Sequence, residues 1–454
     1  MLNSIMRFLF FLGLFFFPFN SFKGLDYLGE FKNESGAYFF VVGFIVLVFS
    51  KNIYIPFKNK IFIVLMFFVL WCFVCTLLNL NTVNLNYFKH TTGLNRFIRQ
   101  YFSLIISSTV FFLFYCNVLY KMSIKEIIFK IRKVFLFSLS FALVLGSIEL
   151  LAEVYGVGIA GKLIKFCNFF PFLEKELIDN RVSAFADEPP FFAVYLITIA
   201  GWMFSYILTS KSVFKYFPAF GVLLLTFYSG SRTAFIVVTI QFLLFLPFVI
   251  SKNQILVSLK YFAVSIVVIS IGTLTFGSTK FLNDLEKKVE SLDFSGNLKK
   301  NISNQSRFGM QVAALQVFKS NPITGVGFGQ VAYHARKHYP GWATRDNYEF
   351  TLWYKNPALK AFPPSYNMYT RLLAEVGIVG FIIFCTIIIF VVKGAKQLIK
   401  NNNFEIKTLG IILLICFVGL FINLLQIDTF RLYGIWISIA LLIVVQQKTK
   451  QLDE

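Results

Sequence analysis

Charge is what this sequence has least of. Only 14% of its 454 residues are Asp, Glu, Lys or Arg, while 57% belong to the AVILMFWYC set and phenylalanine alone fills 60 positions. A soluble fold of this size has nowhere to hide so much apolar surface, which excludes an ordinary globular enzyme. Acids are scarcer than bases, 22 against 43, for a formal net charge of +21. Cysteines number six and histidines three. Cys72, Cys75, Cys116, Cys385 and Cys416 sit in apolar runs, where a thiol behaves as a small hydrophobe, and Cys167 stands alone. No disulfide framework can be assembled from that set. The first apolar run lacks a small-x-small cleavage site after it, so it reads as an uncleaved span.

What is present is a succession of apolar runs of roughly 16 to 22 residues, enough to carry a helix across about 30 Å of hydrocarbon. They fall near 5–20, 36–50, 61–79, 100–120, 134–151, 190–209, 216–229, 232–250, 260–276, 368–392, 408–426 and 431–446. The expectation is an all-α integral membrane protein with about twelve transmembrane helices. Lys and Arg gather on the cytoplasmic side of such proteins. Alternate loops carry Lys51, Lys58, Lys60, Lys121, Lys125, Lys130, Arg132 and Lys133, against Glu126, Glu405, Asp453 and Glu454. Both termini are therefore expected in the cytoplasm, with a bundle over 1–276, one large periplasmic loop with short helices over 277–367, and a second bundle over 368–454. The same sorting explains much of the positive charge by the bilayer, with no nucleic acid as partner.

The remaining basic residues lie on the other side, mostly in the long loop and its exit. Cations there outnumber carboxylates, which points to an anionic ligand such as a phosphate or diphosphate. In RVSAFADEPPFFAVYL, Arg181 precedes Asp187 and Glu188, and two prolines then open a helix at its favoured first turn. The two acids could cap that helix or belong to a site, with Arg181 as their partner. In Ser229-Gly230-Ser231-Arg232 a tight reversal sets Arg232 at a helix N-terminus, where a cation opposes the dipole unless an anion binds between them.

The long loop divides into three parts. Residues 280–300 are amphipathic and are expected on the membrane surface. A helix is predicted from Ser306 to Pro322, with Arg307 in its first turn beside free backbone N–H groups. Gly325, Gly327 and Gly329 are spaced like part of a dinucleotide fingerprint but lack the flanking strand, so they read as a flexible turn. His334 and His338, four apart, have no H-E-x-x-H acid or third ligand, so no metal is expected. A sugar-binding face built from Tyr333, Tyr339, Trp342, Tyr348 and Trp353 suits that basic, aromatic stretch better. At the exit, Asn367 precedes a span in which Arg371 and Glu375 can pair along the helix, and Gly377 and Gly380 allow close helix packing. Asp428 and Arg431 are expected to pair across a short turn.

Taken in order, R-x-x-x-F-x-x-E-P (181–189), S-G-S-R-T (229–233), the Ser-Arg helix leading to N-P-I-T-G-V-G-F-G, and Asn367 with Gly377 and Gly380 resemble the O-antigen ligase and polymerase superfamily. The resemblance implies a GT-C-like architecture in a bacterial inner membrane. It also implies a glycosyl transfer at the periplasmic face, from a donor oligosaccharide on undecaprenyl diphosphate, with no cofactor and no metal. Where the ligase pattern has histidine this chain has Tyr366, which favours the polymerase branch and leaves Tyr366, Glu188, His334 or His338 to act as base, or a reaction that needs no strong base. Arg181, Arg232 and Arg307 would hold the diphosphate, with His334, His338 and Asn367 also in the substrate site and a chain-length regulator protein as a partner. A ligase acting on lipid A core and a polysaccharide flippase are the competing readings.

Overall fold

Asparagine starts several of the helices. Asn59, Asn301, Asn367 and Asn403 each turn a side-chain oxygen onto backbone N–H groups of the first turn, satisfying donors the helix cannot pair itself. Beyond those caps the runs are apolar, and in hydrocarbon only a helix satisfies every backbone group internally. The computed structural model describes residues 2–50, 52–153, 155–174, 181–249 and 301–453, and 74% of it is helical. Among the described residues, seven helices are long and apolar enough to cross a membrane.

The helices that matter below are α1 (Leu2–Phe15), α2 (Ser35–Val48), α3 (Lys60–Leu78), α4 (Leu80–Leu85) and α5 (Gly93–Tyr120), the last with a π turn at Ile106–Phe111. They continue with α6 (Ile124–Glu153), α7 (Gly158–Cys167), α8 (Pro189–Thr209), α9 (Phe217–Tyr228), α10 (Arg232–Val249) and α11 (Ile302–Ser320). The chain finishes with α12 (Met368–Ile399), α13 (Phe404–Asn423) and α14 (Tyr433–Asp453). Each apolar run predicted within the described residues is helical. The run at 260–276 and the amphipathic stretch at 280–300 lie outside them. Pro189 and Pro190 open α8, as the sequence suggested.

The bundle centres on α8 and α13, which are 78% and 72% buried over their apolar windows while α3, α6, α10 and α12 are 28–44% buried. These two pack on each other, with α10 across both and α12 against α13 and α3. Many phenylalanines on the outer helices are exposed, as lipid-facing side chains would be.

Residues 79–99 lie between two of the apolar runs. They contain α4 and a two-residue hairpin, Tyr87–Phe88 paired with Thr91–Thr92, turned by Lys89 and His90, both at positive φ. The hairpin is clamped to the long loop: Lys89 Nζ donates to Ala361 O (2.9 Å), and Tyr333 Oη donates to Thr91 O (3.1 Å).

The expectation for Gly377 needs correcting. Gly377 does not sit in a helix–helix seam; it breaks α12, with φ +65° and ψ −171°. The break frees the carbonyls of Ala374 and Glu375, which accept from Val326 N (3.0 Å) and Gly327 N (2.9 Å), while Ile378 N donates to Pro322 O (2.9 Å). The 321–329 segment is thus no flexible turn. It is docked by backbone hydrogen bonds onto the broken helix. Gly325, at φ +65°, makes that approach sterically open: a Cβ there would lie 2.4 Å from the Glu375 carbonyl carbon.

Arg371 and Glu375 pair as predicted, at 3.0 Å and almost fully buried. Arg371 also donates to Gln100 Oε1 (3.0 Å) and to the carbonyl of Asp428. Gln100 passes the link on to Glu30 (3.1 Å), which faces Arg96 and Arg431. Asp428 and Arg431 do not form the predicted pair. Arg431 goes to Glu34 (2.9 Å), because the segment leading into α2 brings Glu30 and Glu34 to it, and the Asp428 carboxylate accepts from Ser365 N (2.6 Å).

Candidate active site

The three arginines singled out from the sequence line one cavity of about 380 Å³. It lies where one end of α8, the α9–α10 turn, the start of α11 and the end of α13 meet, and Asn304, Asn423 and Gln426 share its wall. The cavity is therefore assembled from four parts of the chain far apart in sequence.

Each guanidinium is placed by a different device. Arg181 lies on the strand of loop leading to α8 and donates to the carbonyls of Ser229 and Gly230, both at 3.3 Å. Gly230, at φ +63°, keeps the turn clear, since a Cβ would lie 2.9 Å from Arg181 Nε. The loop itself is gripped from below by Glu149 near the end of α6. Its Oε2 accepts from Ser183 N (3.2 Å) and Ala184 N (2.7 Å), with Ala184 at positive φ to form the concave nest. Sequence reasoning missed Glu149; a single carboxylate near the end of an apolar span was the available signal.

Arg232 is the first residue of α10, as expected, and Ser231 caps that helix by accepting from Ala234 N (3.3 Å). Its Nη2 donates to Asn304 Oδ1 (2.9 Å). Arg307 departs from expectation. Asn301, not Ser306, starts α11, so Arg307 lies beyond the first turn and its neighbouring N–H groups are already used. Ser306 is instead buried against Asn347, whose Nδ2 donates to it at 3.0 Å. Arg307 is aimed by side chains: Nη1 donates to Gln426 Oε1, and the guanidinium sits 5.5 Å above the Tyr366 ring.

Among the described residues neither Arg181 nor Arg307 makes an ion pair; the acceptors they use are carbonyl and amide oxygens. The cluster around Arg371, Arg96 and Arg431 is the opposite case, with Glu375, Glu30 and Glu34 in contact. Burial, then the like charges of Arg307 and Arg232, push the Arg181 guanidinium below its ordinary range, with Glu188 pulling the other way. Three guanidiniums around one cavity repel one another, and an anion relieves that repulsion.

Glu188 is the N-cap residue of α8 but makes no side-chain capping bond, so of the two readings left open, capping is not the one seen. It faces solvent, yet partial loss of its water shell and the neighbouring Asp187 raise its carboxyl above the usual range, against Arg181 and Arg307. Tyr366 takes a positive φ of 57°. Burial, with the Glu349 and Asp428 carboxylates nearby, pushes its phenol well above the ordinary value. A tyrosinate there is disfavoured, and the ring serves as the face on which Arg307 rests.

Three other predicted site residues lie apart from the cavity. Asn367 caps α12, its Oδ1 accepting from Tyr369 N (2.9 Å) and Thr370 N (3.2 Å). His334 meets Asn86 Nδ2 at 3.4 Å, and burial with Lys337 and His338 nearby lowers its pKa. His338 is exposed beyond the end of the short helix Val331–Ala335, so the two histidines do not share a helix face. The proposed sugar-binding aromatics are divided too. Tyr333 and Tyr339 are packed into ring clusters with Phe362 and with Phe350 and Tyr354, and Tyr348 is the open face.

Residues 217–385 match the O-antigen ligase family. No curated protein matches the chain. The matched stretch carries Arg232, Arg307, the docked glycine turn and the broken span, and it supports the resemblance to the O-antigen ligase and polymerase superfamily.

Proposed function

We propose that the protein is a surface-polysaccharide (O-antigen) polymerase, joining repeat units carried on undecaprenyl diphosphate. In this reading twelve spans hold both termini in the cytoplasm, and the arginine cavity opens to the periplasmic face of the bacterial inner membrane. One observation carries it: Arg181, Arg232 and Arg307 meet at a cavity in which Arg181 and Arg307 have no carboxylate partner among the described residues. Such a cavity suits a lipid-linked diphosphate.

The step is a displacement at the anomeric carbon. A hydroxyl of the acceptor glycan forms the new C–O bond, and its proton passes to the Glu188 carboxylate. The bond from that carbon to the phosphate oxygen breaks, and lipid diphosphate leaves with the electron pair. The guanidiniums stabilise the charge developing on the leaving oxygens, where fixed donors have most effect. The activated leaving group makes neither nucleotide sugar nor metal necessary. Tyr366, standing where the ligase pattern has histidine, supports polymerase over ligase.

The test is reconstitution in vesicles with purified lipid-linked repeat units. Longer lipid-linked glycans are expected without nucleotide sugar or divalent metal. Transfer onto lipid A core alone would favour the ligase, and no transfer to either acceptor would sink the reading. The Glu188 assignment has its own signature. A base must be ionised, and its pKa is raised, so activity should fall with decreasing pH at a higher pH than an ordinary carboxyl near about 4.3 would give. Glu188→Gln should lose about 10²-fold or more in rate and also lose that acid limb.

A further inference from the structure

Asn423 ends α13 and is 2% exposed, yet it lines the arginine cavity. Among the described residues nothing accepts from its Nδ2. Two other buried asparagines are satisfied. Asn117 donates to Tyr54 O (2.9 Å) and accepts from Tyr54 N (2.7 Å), and Asn347 donates to Ser306 Oγ and Ala343 O and accepts from Phe350 N. A second orphaned donor lines the same cavity: Arg307 Nε is buried with no partner among the described residues. No other cavity-lining residue carries an unpartnered buried polar atom among the described residues.

Two orphaned groups lining one cavity, both N–H donors and one of them cationic, call for an acceptor that is anionic and comes from outside the fold. Folding gains nothing from a buried donor left unmatched, and such groups persist where a ligand completes them. Asn423 is also held in place. Its own carbonyl accepts from Gln426 N (2.9 Å) and Ile427 N (3.2 Å), so the turn that carries Gln426, the partner of Arg307, is wound back onto Asn423.

We propose that Asn423 is a further binding residue of this cavity, sharing with Arg307 Nε a phosphoryl oxygen of the lipid diphosphate. The inference rests on the diphosphate reading given above. Asn423 stabilises the same group that the guanidiniums neutralise, but through a neutral donor, so its contribution is insensitive to salt where theirs is screened.

The probe is undecaprenyl diphosphate without sugar, the released product, titrated onto the full-length protein in detergent at fixed ionic strength. Asn423→Asp keeps the shape but turns an acceptor toward the anion; affinity is expected to fall about tenfold or more. Asn423→Ala is expected to weaken binding by a similar factor while the ligand-free protein unfolds at the same or a higher temperature. A structural amide would show the reverse, with lowered ligand-free stability and unchanged affinity. Binding of the aspartate variant within about twofold of the parent overturns the proposal, including the case in which Nδ2 serves only a water. If the buried aspartate prevents folding, the alanine variant decides by the same criterion. Failure of the unsubstituted protein to bind, or binding indifferent to Arg181→Ala and Arg307→Ala, removes the diphosphate reading itself.

Discussion

Replacing Arg307 by alanine is expected to slow glycan elongation by roughly 10²-fold or more. The protein should remain folded. Arg307 links three features of the cavity. It is pinned by Gln426, rests on the Tyr366 ring, and leaves Nε without a partner among the described residues. A side chain held from two sides and open on a third is already set for a ligand, so little ordering remains when the anion arrives. Lysine should restore only part of the rate, because a point charge neither lies flat on Tyr366 nor presents the fork that a phosphate accepts. Stability should move the other way. Arg307 is one of the charges that depress the Arg181 guanidinium, so its removal relieves repulsion in the empty cavity. Product length on a gel, read beside thermal unfolding in detergent, checks both halves. An alanine variant that elongates at the parent rate would remove Arg307 from the chemistry.

Gly377→Ala is expected to be strongly destabilising. At φ +65° and ψ −171° the backbone occupies a region essentially reserved for glycine, and forcing another residue into it costs about 1–3 kcal/mol. The added Cβ would also lie 2.1 Å from Ile323 O and 2.4 Å from its carbonyl carbon. Those are backbone atoms of the docked turn and cannot swing aside as a side chain would; overpacking of this kind costs about 1–3 kcal/mol more. Together the terms reach a large part of a typical net stability of about 5–15 kcal/mol. Gly156→Ala separates the two. Gly156 has φ +66° with nothing within 4 Å of a new Cβ, so the strain appears there without the clash. The Gly377 variant should lose folded yield and thermal stability well beyond the Gly156 variant, and equal losses would show that the turn is not docked as described.

Much of this was legible in the sequence because membrane physics leaves so few options. An apolar run of span length has to be a helix, and each such run within the described residues is one. Arg232 was legible for an electrostatic reason, since a cation at a helix N-terminus after a tight Ser-Gly turn conflicts with the local dipole unless something anionic resolves the conflict. What spacing could not convey was partnership across the chain. Arg371, Arg431 and Arg307 look alike as sequence letters, but Arg371 and Arg431 find carboxylates on α12 and near α2, and Arg307 finds an amide and a ring. Asn423 and Glu149 carry no motif at all. Their roles come from which backbone atoms or cavities the packing sets beside them. The start of α11 was misplaced because Asn301 and Ser306 are both good caps, and only the burial of Ser306 against Asn347 decides between them.

The interruption of α12 also fixes where this chain can be cut and rejoined. Met368 to Val376 is tied by its carbonyls to the segment after α11 and by Arg371 to Gln100 and Asp428, so mechanically it travels with the 321–329 segment and not with the remainder of its own helix. The seam lies at the glycine, inside what hydropathy reads as one continuous span. A hybrid meant to exchange substrate preference between two such proteins would have to carry that third of the helix with the loop, and join the halves after residue 377.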